Sequence, residues 1–217
     1  MRKASFATAV TVACLALAAC DGGSKDGNAD NEPSATQSQP SAARSSGSGT
    51  AGGGTDSPRE PAALGLGEAS RTVGAGTVGI LEITPTTVVY VKEGTGVTSK
   101  FGTFAVVTMR EKSLSANPAD EERPAAGGGW QWLAPGGQRI PAGNGNAGKV
   151  VLATYDGSGA IAPGATRMRA KVFDLTPAQA KGGRVVYTDG TKSPDHWKIP
   201  AEDTGPQVAD VKQRLKP

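Results

Sequence analysis

The run Lys100-Phe101-Gly102-Thr103-Phe104-Ala105-Val106-Val107-Thr108-Met109-Arg110 sets Phe104, Val106 and Thr108 on one face and Ala105, Val107 and Met109 on the other. Apolar side chains at a period of two predict a strand with at least one buried face. Upstream, residues 77–92 carry Val78, Ile80, Leu81, Ile83, Val88, Val89, Tyr90 and Val91 around a central Pro85. β-branched residues dominate there, so two strand-like runs broken by an edge or bulge proline are expected rather than a helix.

Downstream, Trp130-Gln131-Trp132-Leu133 predicts a short strand ended by Pro135-Gly136-Gly137. Residues 149–155 are rich in Val and predict another, turned by Asp156-Gly157-Ser158-Gly159. Residues 167–175 alternate Met168, Ala170, Val172 and Asp174 with Arg169, Lys171, Phe173 and Leu175, the pattern of an edge or half-buried strand. Thr176 and Pro177 supply a helix N-cap and first position, and Gly182 supplies a stop, so about one helical turn leads to a strand over residues 184–187. Residues 196–199 close the series. Short strands with frequent turn signals and no helix beyond a turn or two predict an all-β fold, an immunoglobulin-like antiparallel β-sandwich, and exclude a parallel α/β sheet.

The core must come from this stretch. Residues 21–63 contain no Val, Ile, Leu, Met, Phe, Tyr or Trp, and every aromatic except Phe6 falls from Tyr90 to Trp197. Aromatic side chains bury the most area, so one domain over residues 71–200 is expected, followed by a charged tail, residues 201–217. In that tail Val208, Val211 and Leu215 follow Pro206 at helical spacing. A short isolated helix is marginal, and fraying is expected.

The amino terminus reads as an export signal. Met1-Arg2-Lys3 is a short positive start, and residues 4–19 are an uncharged run rich in Ala, Val and Leu. That run is too short to span a bilayer comfortably. Leu17-Ala18-Ala19-Cys20 resembles the lipobox of bacterial lipoproteins. The resemblance implies cleavage after residue 19, lipid attachment at Cys20 and a membrane anchor, since two acyl chains hold where one would release. Residues 20–70 then read as the lipidated Cys20 and a disordered Gly, Ser, Pro and Asn linker, with an r.m.s. span of ~35–42 Å.

Loss of Arg2 and Lys3 with the signal leaves 21 basic against 20 acidic residues, and the basic ones are scattered singly. The footprint for binding a polyphosphate backbone is missing, so no nucleic-acid partner is expected. Cys14 and Cys20 are the only cysteines, and only Cys20 survives processing, so no intrachain disulfide is expected.

The residues of the domain also resemble a family. The run from Lys100 to Thr108 is similar to the strand that opens the core of the immunoglobulin-like domains of bacterial lipoproteins and small immunoprotective extracellular antigens. In that family an aromatic strand follows, matched here by Trp130 and Trp132. Then comes a Leu/Ile-x-Pro-Gly turn, matched by Ile161-Ala162-Pro163-Gly164. Next is a strand ending like Phe173-Asp174-Leu175-Thr176-Pro177. The resemblance spans residues 73–200 and departs at Arg110-Glu111-Lys112, where the family often has Asn-Asn. It implies the fold and an extracytoplasmic setting, and its motifs are structural rather than catalytic.

Candidate chemistry is sparse. Gly143-Asn144-Gly145-Asn146-Ala147-Gly148 has the spacing of a dinucleotide loop but is expected to lead into a strand, with no helix N-terminus for a phosphate. His196 is the only histidine, and its neighbour Asp195 is expected to point the opposite way. Asp120-Glu121-Glu122 could hold calcium, but lacks the alternating spacing of a calcium loop, so a solvated loop is expected. Trp130 and Trp132 share a face two residues apart. Burial in the core is the expectation for that pair, and an exposed aromatic binding surface is the alternative.

No catalytic, metal or cofactor site is expected. The sequence predicts a lipid-anchored protein at the extracytoplasmic face of the cell membrane, whose domain is a non-enzymatic binding module for an unidentified envelope protein or glycan. The alternative is a small-molecule or metal-binding accessory lipoprotein.

Overall fold

The computed structural model describes residues 62–217, all within one structural unit. The fold is all-β, with antiparallel sheets and few helices. One sheet is ordered β1 (Ser70–Val73), β2 (Ile80–Val91), β5 (Thr103–Ser113) and β8 (Thr166–Leu175). The other is ordered β10 (Pro194–Lys198), β9 (Arg184–Thr188), β6 (Gly129–Leu133) and β7 (Arg139–Pro141). A small separate hairpin joins β3 (Glu93–Gly94) to β4 (Val97–Thr98).

The run around Phe104 forms β5, and both of its faces are buried. Ala105, Val107 and Met109 meet Leu81, Ile83 and Phe173 from the same sheet and Trp132, Val185, Tyr187 and Trp197 from the other, forming the main core. Phe104 and Val106 face outward into a second cluster with Val89, Val172, Val150, Leu152, Tyr155, Val211 and Leu215. The residues around Pro85 form a single strand, β2, and the register against β5 shifts between Pro85 and Thr87. A bulge is where an interior strand tolerates a residue without an N–H.

The second cluster corrects two readings of the sequence. Residues 149–155 are not a strand: a 3-10 turn (Ala147–Lys149) passes into irregular chain. Val150, Leu152 and Tyr155 are apolar because they cover the outward face of β5 and β8, and such a cover has no fixed period. The tail does not fray: α2 (Val208–Arg214) packs on the same face, with Val211 0% and Leu215 3% exposed. Burial of its apolar side supplies what the helix lacks alone.

A third correction concerns the linker, whose last residues belong to the folded unit. Leu64 N–H donates to the His196 carbonyl at 2.8 Å, and Lys198 N–H donates back to Leu64 at 2.8 Å. Leu64 and Leu66 pack against the main core. The Gly and Ala surrounding these two leucines hide them in a compositional reading.

Between β8 and β9, α1 (Pro177–Ala180) is closed by a capping box: Gln179 N–H donates to Thr176 Oγ1, and Thr176 N–H donates to Gln179 Oε1. The turn brings the Gln179 carbonyl within 2.9 Å of Trp132 Nε1. Gly183 follows, and a Cβ there would come within 2.3 Å of the Trp132 ring, so glycine is what lets the indole lie against the chain.

Candidate functional site

Trp130 and Trp132 lie on one face of β6, at 3% and 0% exposure. The Trp132 ring lies tilted at 5.7 Å from Phe173, and that of Trp130 lies tilted at 4.8 Å from Tyr187 and 5.8 Å from Trp197. Neither indole offers a face to solvent. The Trp130 N–H donates at 2.7 Å to Glu121 Oε1 and thereby joins the core to a charged cluster.

That cluster forms where the inward face of the first sheet runs out of apolar side chains. Glu111 follows Met109 on the inward side of β5, and Arg169 and Lys171 precede Phe173 on the inward side of β8. Arg169, 2% exposed, reaches Glu111 at 3.3 Å, Glu121 at 3.3 Å and Asp120 at 3.5 Å. Lys171 Nζ lies 2.5 Å from Glu121. All three carboxylates gather about one guanidinium nitrogen, Nη1, while Nη2 donates to the Gly159 carbonyl.

Three carboxyl groups thus face two cations. Burial pushes the Glu111 carboxyl well above the usual range, and the neighbouring Glu121 adds to the effect. Burial acts the same way on Glu121, but the hydrogen bond with Glu111 and the Lys171 and Arg169 charges outweigh it and hold Glu121 low. The two directions favour the neutral form of Glu111 beside an ionised Glu121.

The acidic run is therefore not a solvated loop. Asp120 and Glu121 turn to Arg169, whereas Glu122 accepts the N–H groups of Gly76 at 3.2 Å and Arg123 at 3.0 Å. Among the described residues, no group of three or more His, Cys, Asp or Glu side chains is arranged to hold a metal. A cleft of about 440 Å³ opens above the cluster, walled by Trp130, Tyr155, Asp156 and the 157–159 loop.

The Gly143 to Gly148 loop serves another carboxylate, Asp174 of β8, which is 1% exposed. Asp174 accepts from Ser99 Oγ at 2.5 Å, Lys100 N–H at 2.9 Å, Phe101 N–H at 3.1 Å and Asn146 N–H at 2.8 Å. The Asn144 side chain bonds the Asp174 backbone in both directions. Burial opposes ionisation of Asp174, but the Ser99 hydroxyl and these N–H groups outweigh it and hold the carboxyl below its usual range. Gly145 has φ +55, and a Cβ there would meet Asp174 at 2.6 Å, so its glycine answers to packing rather than to a phosphate.

Asp174 stands in the quoted Phe-Asp-Leu run, but its partners lie about 30 and 75 residues away, so sequence reasoning missed its role. A second groove of about 440 Å³ lies beside it, between β7 and the loop of Phe101. His196 is 6% exposed on β10, and Asp195 accepts from Ser70 Oγ at 2.7 Å. Cys20 and the lipobox residues Leu17, Ala18 and Ala19 lie outside the described residues. Comparisons with family models, with curated proteins and with solved structures each returned no match to this chain.

Proposed function

We propose that this chain is a lipoprotein anchored through Cys20 at the extracytoplasmic face of a membrane. Its immunoglobulin-like domain is a non-enzymatic binding module for a protein or glycan of the envelope. The strand order supports the fold part of this reading. The β5 to β8 pairing corresponds to the B and E strands of such a domain, and the order β10, β9, β6 corresponds to G, F and C. Trp132, fully buried on β6, occupies the place of the tryptophan on strand C.

The observation that carries the non-enzymatic part is that Glu121, Asp174 and Asp189 are committed to holding the fold. Glu121 ties a loop to β8 through Lys171 at 2.5 Å. Asp174 ties two loops together, and Asp189 accepts from Val73 N–H at 3.1 Å and Ser193 N–H at 2.9 Å. A general acid or base needs an accessible, unspent group.

The experiment replaces Cys20 with Ala in cells grown with a palmitate analogue and cross-links the wild-type protein in intact envelopes. Loss of label in Cys20→Ala, and a stoichiometric envelope component bound to wild type, are expected. Persistent label on membrane-bound Cys20→Ala would remove the anchor, and a co-purifying small solute in place of a partner would favour the accessory-lipoprotein reading.

A further inference from the structure

Among the described residues, Phe101 is the one aromatic side chain left exposed, at 43%. The loop that carries it is nevertheless fixed. One buried carboxylate, Asp174, accepts the Lys100 and Phe101 N–H groups of this loop and the Asn146 N–H of the neighbouring 143–148 loop. Leaving a ring in water forgoes the stabilisation of burial, and ordering its loop costs chain entropy. A ring mounted in this way is preorganised for a contact.

The rest of the lining gives the chemistry of that contact. Gln138, Arg139 and Gln179 bring amide and guanidinium groups, with Ile140 and Pro141 beside them. An extended peptide fits poorly, because β7, the strand bordering the groove, is only three residues long and ends in Pro141, which has no N–H to offer. A pyranose ring fits: it has a C–H face for an aromatic ring and a rim of hydroxyls for amides and guanidinium. Asp174 is saturated by its own donors and makes no demand for a cationic ligand.

We propose that the groove between β7 and Phe101 is a carbohydrate subsite, in which Phe101 stacks on one sugar ring of an envelope glycan and Gln138 and Arg139 hydrogen-bond its hydroxyls. The assignment rests on the binding-module reading and narrows its partner to a glycan. The Lys100 ammonium, 5.4 Å from the Phe101 ring centroid, is an exposed contact that a stacked sugar displaces.

The test uses the full lipidated chain in detergent, with peptide-stripped cell-wall sacculi and soluble N-acetylglucosamine oligomers as probes. Wild type is expected to co-sediment with the sacculi and to bind the oligomers. Phe101→Ala is expected to weaken both by about tenfold or more. Phe101→Trp should retain binding, Arg139→Ala should weaken it, and far-UV circular dichroism and the urea unfolding midpoint should be the same for all. Unchanged retention of Phe101→Ala, or no retention of wild type on either probe, overturns the subsite. If wild type then still cross-links to an envelope protein, the subsite alone is wrong. If it takes neither glycan nor protein, the binding-module reading falls with it.

Discussion

Glu111 is set by the period of β5 on the inward face, one step beyond Met109, where a further apolar side chain would have met Arg169 with nothing to offer it. Burial holds its carboxyl above the usual range. The folded chain therefore keeps a proton that the unfolded chain releases above about pH 4.3, and stability declines as pH rises from there toward the folded value. Glu121, held low, stays ionised over the same window and adds no slope. Glu111→Gln keeps an N–H donor for Glu121 and removes the titration. Urea unfolding should show wild type losing about 1 kcal/mol or more relative to Glu111→Gln between about pH 5 and pH 9. A difference that stays flat across that window would mean that Glu111 carries no shared proton.

At the scale of elements, α2 tests whether the outward face of the first sheet is a true core. Leu215, 3% exposed, packs with Val150 and Val211, and its carbonyl accepts the Thr95 N–H at 2.7 Å. Leu215→Ala should cost about 2–5 kcal/mol by chemical denaturation, the range for a core leucine. A frayed tail would lose only a few tenths, and that outcome would return the helix to solvent. Sequence periodicity revealed β5 and β8 because each alternates side chains between two environments, while β-branched and aromatic runs between turn signals revealed β6, β9 and, as two runs rather than one strand, β2. Residues 149–155 were misread as a strand, and the helical spacing of α2 was read but its packing was not, because both are covers whose side chains need only reach β5 and β8. The charged cluster was hidden for a different reason. Glu111, Glu121 and Arg169 are neighbours only after β5 and β8 pair, and nothing local in the sequence joins them.

At the scale of the whole molecule, both ends of the folded unit are tied to it by backbone hydrogen bonds. Leu64 exchanges bonds with His196 and Lys198 on the outer side of β10, and Trp197 Nε1 donates to the Glu68 carbonyl at 2.9 Å. Thr204 exchanges bonds with Val88 on β2 at 2.8 and 3.0 Å, just ahead of α2. Residues 21–63 contain no Val, Ile, Leu, Met, Phe, Tyr or Trp. Brief digestion of the chain with a broad-specificity protease should leave one fragment that starts close to Leu64 and keeps its carboxyl end at Pro217, as mass spectrometry would read. A fragment starting beyond Ser70 would mean that the Leu64 segment opens readily from β10. One ending before Thr204 would mean that the second cluster opens before the main core does, with α2 as the first element lost.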